Sequence, residues 1–465
     1  MTAREPVSLR TGSLSFIEVL ATSVALIGPS MTPVLIAPYM YANAGNGTWL
    51  AYVFGGIMLL FVALNLNQFA KRSSSAGSMY GYAAENLGPT LGALAGWSLI
   101  WAYVLVGMAV LGAMTLFVEQ LLSSIGWHAP EVLVLVVMAV IVWQLAYRDV
   151  QLSAIVMLAL ESVSVGIICV LVGIVFFKHG LTIDTAQLHL TGVRPANIGL
   201  GIATAIFSLV GFESATAFGE EAQRPKVTIP RAVIWSVLLA SAFFITATYA
   251  EIVGLRGSAT SLDKLSSPLG SLAQLLQVGY LKVPITIGAL FSAFSVCLAC
   301  VSTAGRIVLA MARKNLFPQA AAIIQPRHKT PYVGIAASIG AMLLTAVVLL
   351  ARHVGPEDIF NYAGTLSSFG FIVIYALIAI AAPLYVRRVD VLRVPDVVVS
   401  VLAVVFLLVP AVTLFYPVPA PPSNLFPYAF IAYVLVGWAW FSHRLSRAPA
   451  PVEPVETPVF EKPHV

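Results

Sequence analysis

Apolar residues in this chain come in runs of about twenty, the length that crosses a bilayer core as a helix, and only short polar links separate the runs. Inside hydrocarbon every backbone N–H and C=O must find a partner within the protein, so this pattern specifies an all-α membrane bundle. Twelve transmembrane helices fit, at 14–41, 47–70, 89–122, 130–148, 152–178, 196–222, 229–254, 283–312, 332–352, 358–386, 396–416 and 425–444. Two more stretches, 78–88 and an amphipathic 261–280, are expected to be re-entrant or surface helices. Charged residues make up 10% of the 465 positions and apolar ones 59%, whereas a soluble domain is roughly 25% charged. A soluble enzyme is thereby excluded, as are disorder and collagen-like structure. The spans leave no room for a separate extramembrane domain of ordinary size.

The basic residues orient the bundle. With the N-terminus inside, 19 of the 25 Lys and Arg fall on inner links, and six (Lys178, Arg194, Arg256, Lys264, Lys282 and Arg352) fall on outer ones. This bias places both termini in the cytoplasm, with the chain in the cell (inner) membrane. The net charge of +5 then reflects topology, and basic residues scattered over many short loops argue against a nucleic-acid partner. The polar start, Met1 to Arg10, enters the first span without a small-residue cleavage site, so no cleaved signal peptide is expected. The tail from Ala448 to Val465 holds five prolines and no apolar period and is expected to be disordered. Pro417, Pro419, Pro421 and Pro422 stiffen the last outer link. Trp49, Trp97, Trp127, Trp143 and Trp438 lie near span ends, as interfacial anchors do. Cys169, Cys297 and Cys300 sit within apolar runs and are expected to pack between helices.

Two spans carry signals of interruption. The first reads Ala25-Leu26-Ile27-Gly28-Pro29-Ser30-Met31-Thr32-Pro33. Gly28 tolerates unusual dihedrals, Pro29 lacks an N–H and biases its predecessor away from helix, and Ser30 or Thr32 can cap a second half-helix. The sixth reads Ile206-Phe207-Ser208-Leu209-Val210-Gly211-Phe212-Glu213-Ser214, with Ser208, Gly211 and Ser214 forming a small face. The interruptions occupy corresponding positions in two five-span halves, and such pairs point to a substrate site near the membrane midplane.

Carboxylates sharpen this reading. Glu161 and Glu213 are the two acids placed deep in apolar runs, with Glu18 about one turn inside the first. A charge at that depth costs at least about 2.5 kcal/mol, so it normally has a partner or a function. No Lys, Arg or His is expected mid-span, so a proton relay has to use carboxylates.

Three segments carry a family resemblance. Ala76-Gly77-Ser78-Met79-Tyr80-Gly81-Tyr82 leads through Leu87-Gly88-Pro89 to Gly96-Trp97; Phe207 to Glu213 is followed by Glu220-Glu221, Arg224-Pro225 and Ile229-Pro230-Arg231; Arg306, Ala312-Arg313, Pro318 and Thr330-Pro331 come later. In this order the chain resembles the amino acid–polyamine–organocation permeases, twelve-helix carriers of the LeuT-type inverted-repeat fold. The resemblance implies a first five-helix repeat over 14–178, a second over 196–386, extra helices at 396–444, and cytoplasmic ends at 1–13 and 445–465. It implies a substrate site at Ile27, Gly28, Pro29, Ser30, Met31, Thr32, Phe207, Ser208 and Gly211, with Phe207 as an aromatic gate. The first break would offer donors to a substrate carboxylate, and carbonyls near Ile27 and Phe207–Gly211 would accept its ammonium. Glu213 corresponds to a glutamate linked to proton sensing in some members. Glu161 stands where some cationic-amino-acid relatives carry a lysine, and is assigned a proton, a cation or a substrate amine. Ser302 and Thr303 offer hydroxyls of the kind that ligate sodium. One departure is chemical: the family's Gly-small-Gly break is here Gly28-Pro29-Ser30, and Pro29 removes a donor.

The function expected is secondary active transport of an amino acid by alternating access, coupled to protons, with no cofactor and no metal. The alternative is a carrier of an organic amine or polyamine, or an exchanger. A channel fits less well, because the interruptions are paired and no pore-loop repeat occurs. No zinc-protease, serine-base or phosphate-loop pattern marks the spans as an enzyme.

Overall fold

The structure, a computed structural model, describes residues 14–72, 79–148, 154–179, 184–218, 222–328 and 330–446. The cytoplasmic N-terminus expected at 1–13, nearly all of the tail expected at 445–465, and the motif residues Ala76, Gly77, Ser78, Glu220 and Glu221 lie outside the described residues.

Helix α1 (Phe16–Ile27) opens with a reciprocal cap: Ser15 N–H donates to Glu18 Oε2 at 2.7 Å and Glu18 N–H to Ser15 Oγ at 3.4 Å. It stops at Gly28, whose φ of 69° and ψ of 56° are left-handed. After Pro29 and Ser30 the chain re-enters helix as a π-helical turn, Thr32–Ile36, continuous with α2 (Ala37–Ala44). A 3₁₀ turn at Gly45–Gly47 precedes α3 (Thr48–Ala70). The first half of the bundle continues with α4 (Met79–Leu87), α5 (Pro89–Ser124), α6 (Glu131–Arg148), α7 (Ala154–His179) and the short α8 (Thr185–Leu188). Helix α9 (Pro195–Leu209) is followed by a 3₁₀ segment, Phe212–Phe218, and α10 (Pro225–Gly254). Then come α11 (Pro268–Leu275), α12 (Lys282–Arg313), α13 (Tyr332–Ala351), α14 (Pro356–Val389), α15 (Val394–Thr413) and α16 (Phe426–Ser446).

Eleven stretches among the described residues are long and apolar enough to cross a membrane. The difference from the twelve expected lies at the start, where 16–70 form one apolar stretch of 55 residues. The link between the expected runs 14–41 and 47–70 contains Asn43 and Asn46 but no charge, so hydropathy does not divide what the 3₁₀ turn divides. The span expected at 196–222 is helical as α9 only to Leu209. The piece expected at 261–280 is α11 flanked by 3₁₀ turns at Leu262–Lys264 and Gly279–Leu281.

Burial sorts the spans. The apolar windows of α9 and α5 are 83% and 72% buried, against 28% for α6 and α15, whose remaining surface carries exposed Val and Leu. Helix α5 packs on α12 and α14, and α3 packs on α9 and α10. Asn67 Nδ2 of α3 donates at 2.9 Å to the carbonyl of Pro230, within α10. The segment before α1 meets the loop after 212–218 through a backbone bridge, Gln223 N–H to Leu14 C=O at 2.7 Å.

Two expectations need correction. Trp97 is a helix–helix contact: it stacks on Tyr433 at 4.2 Å, and its indole N–H donates to the Tyr433 carbonyl at 2.9 Å. Cys297 and Cys300 are buried, but Cys169 is exposed on α7.

Candidate functional site: two helix breaks and three buried carboxyls

The two interruptions touch. Gly211 has φ +116°, a conformation open to glycine. A Cβ on Gly211 would stand 2.8 Å from the Leu26 carbonyl carbon and oxygen and 2.9 Å from the Ile27 nitrogen. Gly28 packs against α12: its Cβ would meet Val296 Cγ2 at 2.9 Å and Ser292 Oγ at 3.3 Å. Ile27, Pro29, Ser30, Met31 and Thr32 are all buried, as are Ser208 and Gly211. The structure therefore brings Gly211 against Leu26 and Ile27, with backbone against backbone where a space between Gly211 and the first break was expected.

Glu161, on α7, closes on the first break. Its Oε1 accepts Ser30 N–H at 2.8 Å, Ser30 Oγ–H at 2.9 Å and Ser292 Oγ–H at 3.2 Å. The donors at positions 29 to 31 are thus engaged by the protein itself. Pro29 has no N–H, and Met31 N–H is bonded to the Gly28 carbonyl at 3.1 Å. Thr32 Oγ1 is buried without a partner among the described residues.

Glu213 lies at the second break, in a ring of donors. Tyr103 Oη–H reaches its Oε1 at 3.0 Å, Gly211 N–H its Oε2 at 3.1 Å, and Tyr375 Oη–H the same Oε2 at 3.4 Å. The phenols come from α5 and α14, so one carboxyl ties both helices to the sixth-span break. Sequence reasoning missed the third acid. Glu251 of α10 is 0% exposed, and neither carboxyl oxygen has a hydrogen-bond partner among the described residues.

Phe207 is 6% exposed, packs 5.3 Å from Phe360 between ring centroids, and lies against Gly364. It lines a cavity of about 320 Å³ between α2, α9, α14 and the proline-rich link, with Tyr39, Asn43, Thr204, Thr365 and Pro421 on the wall. Tyr39 and Thr365 hydroxyls pair at 2.7 Å, and Asn43 Nδ2 donates to Thr204 Oγ1 at 3.0 Å. Gly28 to Thr32, Ser208 and Gly211 do not line this cavity. Ser208 instead pairs with Tyr52 Oη at 3.1 Å and donates to the Thr204 carbonyl at 3.0 Å. On α12 the residues that face Gly28 are Ser292 and Val296; Ser302 and Thr303 are half-buried further along, about 15 Å from Ser292 by helical rise.

Apolar helices that break against each other inside the bundle, with carboxyls at the breaks, define a membrane permease rather than an enzyme. The chain belongs to the amino acid permease family, whose model matches residues 25–448. It is 27% identical over 358 residues to the branched-chain amino acid permease BcaP of Bacillus subtilis, a match covering 72% of this chain and 74% of that one. It is 27% identical over 338 residues to the low-affinity putrescine importer PlaP of Escherichia coli K12, covering 69% and 71%. It is 23% identical over 308 residues to the methylthioribose transporter of Bacillus subtilis, covering 62% and 65%.

Proposed function

We propose that the chain is a secondary carrier that moves an amino acid or an organic amine across the cell membrane by alternating access. The observation that carries this reading is the contact of Gly211 with Leu26 and Ile27. Two half-helices that meet at their breaks can rock against each other around a fixed site, which a continuous pair of helices cannot do. The relatives' substrates, branched-chain amino acids and putrescine, share an ammonium group.

The stretch 16–70 is read as two crossings, because 55 mostly helical residues would rise about 80 Å as one helix against a core of about 30 Å. That gives twelve spans, two five-helix repeats over 14–178 and 196–386, and cytoplasmic termini in line with the Lys and Arg bias. Phe207, on the wall of the cavity, acts as the gate. Glu213 carries the proton, because its two phenols and one N–H can serve either its charged or its neutral form. Sodium at Ser302 and Thr303 has less support, since α12 meets the first break at Ser292 and Val296.

Counterflow tests the reading. Proteoliposomes loaded with unlabelled solute should accumulate labelled solute transiently, as an exchanging carrier requires. Labelled leucine and labelled putrescine are the first probes. Simple equilibration with no overshoot, for both probes, sinks the carrier reading in favour of a channel.

A further inference from the structure

We propose that Glu161 takes the place of a substrate carboxylate at the first break and pairs with the ammonium of an amine that has no carboxylate. The inference rests on the carrier reading above and narrows it from amino acids and amines to amines. A bound amino acid would need free donors at the start of the second half-helix to hold its carboxylate. At positions 29 to 31 each donor is accounted for. Pro29 has none, Met31 N–H is bonded to Gly28, and both Ser30 donors go to Glu161 Oε1. A second carboxylate brought to Ser30 would meet an existing one and be repelled.

The same residue supplies what an amine needs. Glu161 is 6% exposed, and its Oε1 is held by three donors. Its Oε2 accepts no hydrogen bond from any described residue. The ion pairs seen, Arg72–Asp390 and Arg256–Asp184, do not involve it. A carboxylate so placed is fixed through one oxygen and open to a cation through the other. An alkylammonium supplies the missing charge and N–H donors in a charge-assisted contact. Thr32 Oγ1, buried beside the break without a partner among the described residues, adds an acceptor.

The test is counterflow with matched pairs in proteoliposomes of the full chain: putrescine against ornithine, and isopentylamine against leucine. Each amine should exchange about tenfold faster or more than its carboxylated parent, the scale of one charge-assisted contact. Glu161→Gln keeps the size but not the charge and should slow amine exchange by a similar factor. Glu161→Ala frees both Ser30 donors and should raise exchange of ornithine and leucine relative to the amines. The inference falls, with the carrier reading intact, if the wild type prefers the amino acids or if Glu161→Gln leaves amine exchange unchanged. If none of the four probes exchanges in the wild type, the carrier reading falls first and this one with it. Should a variant fail to fold, the wild-type ranking alone decides. A sodium requirement for amine exchange, with unchanged ranking after Glu161→Gln, would assign Oε2 to a metal ion and overturn the proposal.

Discussion

Gly211 and Leu26 meet backbone to backbone, with no room between them for even a methyl group. The contact joins the two helical breaks that the carrier reading needs. Gly211→Ala is therefore expected to push the breaks apart and to force a non-glycine residue to φ +116°. Backbone strain and overlap together should lower stability by about 1–3 kcal/mol. Gly166→Ala on α7, where an added Cβ has nothing within 4 Å, is the control and should be neutral or stabilising by up to about 1 kcal/mol. Thermal unfolding of the two variants in detergent checks this; equal melting temperatures would mean that the breaks are not held by this contact.

Glu251 makes a different kind of prediction. Its carboxyl is fully buried and both oxygens lack donors among the described residues, so it carries a desolvation cost with no compensating bond there. Glu251→Leu removes the orphan atoms at similar volume and should raise stability by about 1 kcal/mol or more. Unfolding midpoints of wild type, Glu251→Gln and Glu251→Leu should rank in that ascending order. A Leu variant less stable than the wild type would show that the carboxyl has a binding partner.

The parts of this architecture that depend on local chemistry are legible in the chain. Gly28 followed by Pro29 announces the first break, because one residue favours a left-handed turn and the next cannot donate. The membrane class follows equally from apolar runs, and the three ordered motif segments identified the family. Glu161 was marked as buried, yet its partner Ser30 was not legible: the two are 131 positions apart and no periodicity links them. Glu251 was missed for a related reason. It lies within one turn of the end of α10, where a sequence places water. The cover comes from elsewhere in the chain: Leu272 of α11 and Val175 of α7 pack on Gly254, three residues on. The cavity wall at Tyr39, Asn43 and Thr204 was unmarked because a hydroxyl or amide in an apolar run carries no signal until a neighbouring helix faces it.

Outside the spans, Asp184 and Arg256 form an ion pair on the loop between α7 and α9 and the end of α10. Burial opposes the Asp184 charge, but Gln187, Arg256 and the Ala186 N–H outweigh it and hold the carboxyl below its ordinary value. A depressed carboxyl stabilises the fold above its unfolded value of about 3.9 and loses that contribution as pH falls through the folded one. Acidification should therefore lower the melting temperature of the wild type more than that of Arg256→Gln. Arg256 is 48% exposed, so the difference at neutral pH should be small and should shrink with salt. Parallel melting curves for the two proteins across the acid range would show that the pair contributes nothing.

Coupling is tested at Glu213. Its three donors reach it from Tyr103, Tyr375 and Gly211, so the carboxylate is satisfied when charged. When neutral, the acid can turn its proton toward a phenol oxygen, because a hydroxyl both donates and accepts. Glu213→Gln mimics that neutral form: the amide oxygen accepts from Gly211 N–H, and the amide nitrogen donates to a phenol. The variant should fold and exchange solute, but it cannot alternate between charged and neutral. A coupling group must bind its proton differently in the inward-open and outward-open states, and a group fixed in one state transmits nothing. Initial uptake over roughly pH 5–8, with the membrane potential clamped and sodium absent, should therefore lose its pH dependence in Glu213→Gln while counterflow persists. Tyr103→Phe and Tyr375→Phe, which each remove one donor to the charged form, should shift the wild-type profile without flattening it. A Glu213→Gln profile that overlays the wild type would remove this carboxyl from the coupling step and turn attention to Glu161 and Glu251.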